Sequence, residues 1–129
     1  MNVAYLDCFS GISGDMFLGA LVDAGVPLLE LQQLIDSLQI EGCHLEAHRE
    51  ARNGIYGTRI LVEINQSLQR VRDFREIREI ISHSALPENV KDKSIEVFFS
   101  LATVEGKIHN RPPEAVHFHE VGAVDSIMD

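Results

Sequence analysis

The spacing of apolar residues changes several times along the chain, and each change marks an element. Val3 to Leu6 is a short unbroken apolar run, which predicts a buried strand. A Gly/Ser-rich loop follows, and then a helix from about Gly14 to Ala24, with Ser13 as its N-cap and Gly25 as its stop. Pro27 to Leu38 places Leu28, Leu31, Leu34, Ile35 and Leu38 on one helical face. From about Cys43 to Arg52 and from Ile55 to Ile64 the period shortens to two, and Asn53-Gly54 between them predicts a tight hairpin. Asp73 and Glu76 have the spacing of a capping box ahead of Phe74, Ile77, Ile80 and Ile81, a short amphipathic helix. Pro87 opens a long helix to about His109, whose expected buried stripe is Val90, Val97, Phe98, Leu101, Val104 and Ile108. Arg111-Pro112-Pro113 is a stiff connector, Ala115 to His119 reads as extended, and Asp125 to Asp129 as the first turn of another helix. A helix that begins where the sequence stops is expected of one part of a longer protein. These elements predict an α+β fold in a single domain over residues 1–129. A small sheet of about three strands, the first run plus the hairpin, packs against four helices.

Composition narrows the class. A length of 129 residues is enough to bury a core, and 45% apolar with 24% charged residues is ordinary for a globular protein. A net charge of −9 leaves no basic surplus to neutralise phosphates, which argues against a nucleic-acid partner. Two cysteines, Cys8 and Cys43, are too few for a disulfide scaffold. No apolar run approaches membrane-spanning length and no basic signal-peptide start is present, so the expectation is a cytoplasmic protein without a membrane partner. Arg70, Arg72, Arg75 and Arg78 form one local basic patch, expected as a solvated face paired with Glu76 and Glu79.

Two stretches carry candidate chemistry. The first runs Asp7-Cys8-Phe9-Ser10-Gly11-Ile12-Ser13-Gly14-Asp15. A strand, a Gly/Ser loop and a helix N-terminus together make an anion-binding geometry, because backbone N–H groups converge there. The glycine spacing fits neither a Walker loop nor a dinucleotide fingerprint. Asp7 and Asp15 repel a bare phosphate but suit a cation that bridges to one, and an ordinary strand-to-helix turn with a capping Asp fits as well. The second stretch, His117 to Asp129, holds two His, one Glu and two further Asp. In an extended segment His117 and His119 share a face, since side chains alternate. Imidazole and carboxylate suit several transition metals. A surface edge strand with capping acids remains the structural alternative. Glu105 and His109, four apart on the long helix, should meet.

The same two stretches, Asp7 to Met16 and His117 to Ile127, resemble the signatures of the LarC-type nickel insertion proteins. Val104-Glu105-Gly106-Lys107-Ile108-His109 is similar to the Glu/His helix end of that family, and Asn53 to Thr58 to its hairpin. The resemblance covers the whole chain in order. It implies nickel insertion into pyridinium-3,5-bisthiocarboxylic acid mononucleotide, linked to CTP, in biosynthesis of the nickel-pincer cofactor. Family members are about three times longer, so the resemblance implies that this chain is an N-terminal part. Its partners would then be the anionic precursor and the family's C-terminal region. Many members carry a His-rich stretch before the short helix, where this chain reads Gln69-Arg70-Val71-Arg72.

Joined to that resemblance, the residues suggest a division of roles. His117 and His119 would be the first nickel ligands, with Glu120, Asp125 or His109 completing the set. Asp7 and Asp15 would lie nearby in catalytic positions, with Glu120 as the base. Ser10, Gly11, Ser13 and Gly14 would face the cofactor phosphate. Two other readings use the same residues: a metal-dependent phosphohydrolase or nucleotide-using enzyme, in which a divalent ion activates water, and a non-catalytic assembly region.

Overall fold

The computed structural model describes residues 3–65, 71–118 and 124–128, the last stretch with side chains from Ser126 onward. Its elements in order are helix α1 (Gly14–Asp23), helix α2 (Leu28–Asp36), strands β1 (Cys43–Arg52) and β2 (Ile55–Ile64), helix α3 (Phe74–His83), helix α4 (Glu88–His109), a 3-10 turn (Pro113–Ala115) and helix α5 (Val124–Met128). The fold is mixed α+β, with five α-helices and a two-stranded antiparallel sheet among the described residues. Among the same residues no helix is long and apolar enough to cross a membrane.

Local signals account for most of the element boundaries. Asn53 and Gly54 both take positive φ, 52° and 80°, which matches the right-handed twist of the two strands they join. The register then pairs Cys43 with Ile64 and Arg52 with Ile55. Gly25 ends α1 at φ 101°, while the Gly25 and Val26 amides return to the carbonyls of Val22 and Leu21. Asp73 caps α3 in a full capping box: its side chain accepts from the Glu76 amide at 2.8 Å, and the Glu76 carboxylate accepts from the Asp73 amide at 3.3 Å.

One face of the hairpin is covered by helices. Leu45 and Ile60 are buried there with Leu18, Leu31, Ile35 and Leu38 of the first two helices. The contact of α1 with β2 is close because Gly19 has no side chain: a Cβ at that position would stand 2.2 Å from the Thr58 carbonyl oxygen. Asp23 fastens the same pair from the rim. It accepts from the Thr58 amide at 2.9 Å, the Thr58 hydroxyl at 2.7 Å and the Arg49 guanidinium at 2.6 Å. On the other strand the Leu45 amide donates to Oε1 of Gln32 on α2, at 2.8 Å. A second part of the core joins Phe74, Ile77 and Ile81 of α3 to Phe98 and Ala102 of α4.

Four expectations need correction. Val3 to Leu6 forms no strand, and Val3, Tyr5 and Leu6 are exposed, so among the described residues the sheet has two strands rather than three. Among the described residues the helix total is five rather than four, because α5, expected only as a first turn from Asp125, counts as an element of its own. On α4 the expected stripe is largely outward: Phe98 is buried, whereas Val90, Val97, Leu101, Val104 and Ile108 are exposed. The inward face is Phe98, Ala102 and Gly106 instead. Small residues at the last two positions let α4 approach its neighbours, and a Cβ on Gly106 would meet the Arg111 carbonyl oxygen at 2.6 Å. The arginines also depart from a uniform solvated face. Arg72 is buried, Arg75 pairs with Asp73 at 3.6 Å, and Arg78 lies over the Phe74 ring at 5.9 Å. Arg70 lies outside the described residues.

Two predictions follow from the α1–β2 contact. Gly19→Ala destabilises the chain by about 2 kcal/mol despite the better helix propensity of alanine, because the methyl has no room against backbone. A fall in the urea midpoint checks this. The hydrogen bonds from Thr58, side chain first and then amide, outweigh the opposing effect of burial and, with a lesser pull from Arg49, hold the Asp23 carboxyl below its ordinary value of 3.8. A lowered folded-state pKa stabilises above the unfolded value, and that contribution is lost as pH falls through the folded value. Asp23→Asn therefore flattens the pH dependence of stability below pH 3.8, which urea unfolding at a series of pH values would show.

Candidate metal and anion site

The second signature enters the fold through a short antiparallel crossing. His117 forms an isolated bridge with Asp73, just ahead of α3. The Phe74 amide donates to the Val116 carbonyl and the Phe118 amide to the Arg72 carbonyl, both at 3.3 Å. The segment is extended there, as its alternation predicts. Val116 and Phe118 are buried and His117 between them is exposed. The Phe118 ring lies 6.0 Å from that of Phe98, tilted by 59°. Phe118 is therefore the anchor that turns the His117 imidazole outward. Sequence reasoning placed the extended run but gave Phe118 no role, although its position between two histidines in a period-two pattern was the available signal.

The α4 helix end lies beside this crossing. The Glu105 carboxylate and His109 Nε2 meet at 3.3 Å, as their spacing predicts. Asn110 closes the helix in the left-handed conformation, φ 51°, and its amide returns to the Gly106 carbonyl. A Cβ on Gly106 would contact the Val116 side chain at 3.5 Å. The chain leading to His117 thus passes beside the turn that carries Glu105 and His109. His119 and Glu120 lie outside the described residues, as does the Asp125 side chain. Among the described residues no three His, Cys, Asp or Glu side chains gather as a metal-binding group.

The first signature forms a turn ahead of α1. The Gly11 amide donates to the Cys8 carbonyl at 3.0 Å, and Gly11 takes φ 85°, which glycine adopts without strain. Ser13 occupies the N-cap position, but its hydroxyl donates to the Asp15 carboxylate rather than accepting from a backbone amide. Gly14 starts the helix and Ser10 lies within the turn. The Asp15 carboxylate therefore already occupies the electropositive helix start, where a bare anion would have to displace it. Asp7 and Cys8 are exposed. Cys43 is half-buried at the start of β1. Burial pushes its thiol pKa up, against the lowering pull of Arg72, which keeps it a neutral packing residue.

Residues 4–129 match the family described as Nickel insertion protein.

The chain belongs to the nickel insertion protein family.

A relative from Thermomicrobium roseum is 53% identical over all of this chain and 32% of its own length. The pyridinium-3,5-bisthiocarboxylic acid mononucleotide nickel insertion protein of Desulfitobacterium hafniense is 49% identical over all of this chain and 32% of its own length. The protein of the same name from Geobacillus kaustophilus is 44% identical, again over the whole chain and 34% of its own. The chain thus spans about a third of the length of the curated relatives it matches. No solved structure matches it. Within that matched stretch His117 and Phe118 divide the segment: the imidazole faces outward and the ring packs in the core.

That division of labour is measurable. Phe118→Ala lowers stability by about 3–5 kcal/mol through loss of a buried ring, whereas His117→Ala, at an exposed position, changes it by no more than about 0.5 kcal/mol. Paired urea titrations check both values.

Proposed function

We propose that this chain is the nickel-handling part of a protein that inserts Ni(II) into pyridinium-3,5-bisthiocarboxylic acid mononucleotide. The observation that carries the reading is the family match over residues 4–129, which takes in both signature stretches. The relatives from Desulfitobacterium hafniense and Geobacillus kaustophilus bear the name of that reaction.

The chemistry sets three requirements, and the residues divide among them. Nickel is a substrate here, so its site must bind and then release it. Imidazole and carboxylate donors meet that need, being weaker holders than a thiolate cage. In this reading His117 and His119 bind first, and His109, Glu120 or Asp125 completes the set. The product holds the metal by two sulfurs and one ring carbon, so the ring C–H must lose a proton as the carbon–nickel bond forms. Glu120 accepts that proton, and Asp7 and Asp15 steady the positive charge of the incoming ion. The precursor also carries a phosphate. Ser10, Gly11, Ser13 and Gly14 contact it through a bridging cation, because Asp15 already occupies the helix start.

The loop does not fit a nucleoside triphosphate. It contains no Lys or Arg, and it carries Asp7 and Asp15. We therefore assign CTP to the part of the family protein that this chain does not span. The reading also takes residues 1–129 as one N-terminal domain of a cytoplasmic biosynthetic protein.

Calorimetric titration of the purified chain with Ni(II), and with Zn(II) for comparison, tests the assignment. Stoichiometric Ni(II) binding is expected, weakened at least tenfold in His117→Ala/His119→Ala while the thermal midpoint of the metal-free chain stays the same. Equal Ni(II) affinity in the parent and the double variant would overturn it.

A further inference from the structure

The outward face of α4 is an apolar seam without a cover among the described residues. Val90, Val97, Leu101, Val104 and Ile108 recur at alternating intervals of three, four or seven, the period of a helix-to-helix contact. Val97 is 59% exposed and Ile108 71%. The seam spans about 27 Å at 1.5 Å per residue. An apolar strip of this length is what a second helix buries, not what a polar surface leaves to water. Its first half forms one wall of a groove of about 390 Å³, whose other walls include Leu18, Leu31, Ile35 and Leu38.

The occupant is indicated by where α5 packs. This helix has five residues, too few to hold itself together in water. Its Ile127 and Met128 are buried, and with Ser126 they line the same groove as Val97 and Leu101. The long family members, of which this chain matches the N-terminal third, continue beyond the counterpart of Met128. We propose that the segment following that position folds as an amphipathic helix that continues α5 and lies along the α4 seam. The seam is then an internal interface of the full-length protein, joining this part to the rest. The inference concerns packing only and stands or falls separately from the nickel site.

The test compares this chain with a version extended by about 20 residues, enough helix to run the seam, taken from the stretch that follows the matched region in the Thermomicrobium roseum relative. Both carry Cys8→Ser, since Cys8 is an exposed thiol, and Val97→Cys as the reporter. Maleimide labelling of the reporter should be at least tenfold slower in the extended chain. A control with Ile55→Cys, at the exposed hairpin tip, should label at the same rate in both. Equal reporter rates in the two chains, with unchanged circular dichroism, would overturn the proposal. So would protection of the reporter already present in the shorter chain and growing with its concentration, because a second copy would then be the occupant.

Discussion

The close approach of α1 to β2 is the constraint on which the first half of the molecule depends. A two-stranded hairpin is barely stable alone and needs one face covered. Gly19 lets a helix backbone come down onto the Thr58 carbonyl, and Asp23 locks that contact from the edge with three hydrogen bonds. At that separation Leu18 joins Leu45 and Ile60 in one buried cluster. The α2 helix then adds its own tie, with Gln32 occupying a backbone donor of β1 that a third strand would otherwise take. This helps explain why the sheet stops at two strands.

The elements legible in the sequence are those whose signals are local. Asn53-Gly54 sets the hairpin turn by its own φ preference, and Asp73 and Glu76 complete their box within one helical turn. The errors come from apolar runs, which state that a surface favours burial without naming what buries it. Val3 to Leu6 and the outer face of α4 are both of this kind. Periodicity marked an apolar stripe on α4 but not the face that is buried: the neighbouring elements pack on the Phe98, Ala102 and Gly106 side, where small residues permit closer contact. The Asp23 clamp was invisible for the opposite reason: its partners lie far along the chain and nothing local marks them.

Of the candidate site, Glu105 meets His109 and Val116 to Phe118 is extended, whereas Ala115 belongs to the 3-10 turn and His119 lies outside the described residues. The anchoring ring of Phe118 had a readable signal that attention to the ionisable residues passed over. At the first signature the glycine-rich turn forms, yet Ser13 spends its hydroxyl on Asp15. Whether a side chain caps a helix or binds a neighbouring acid depends on competition between two nearby acceptors and donors, which residue type alone does not resolve.

Asp73 serves two structures at once. Its side chain starts α3, and its backbone position faces His117 in the antiparallel bridge. The helix start and the signature segment are therefore tied through one residue. Because that tie closes a long loop of chain, its formation carries an entropic cost that the short-range elements avoid. The outward direction of His117 therefore depends on a contact between distant stretches of chain rather than on the signature peptide alone.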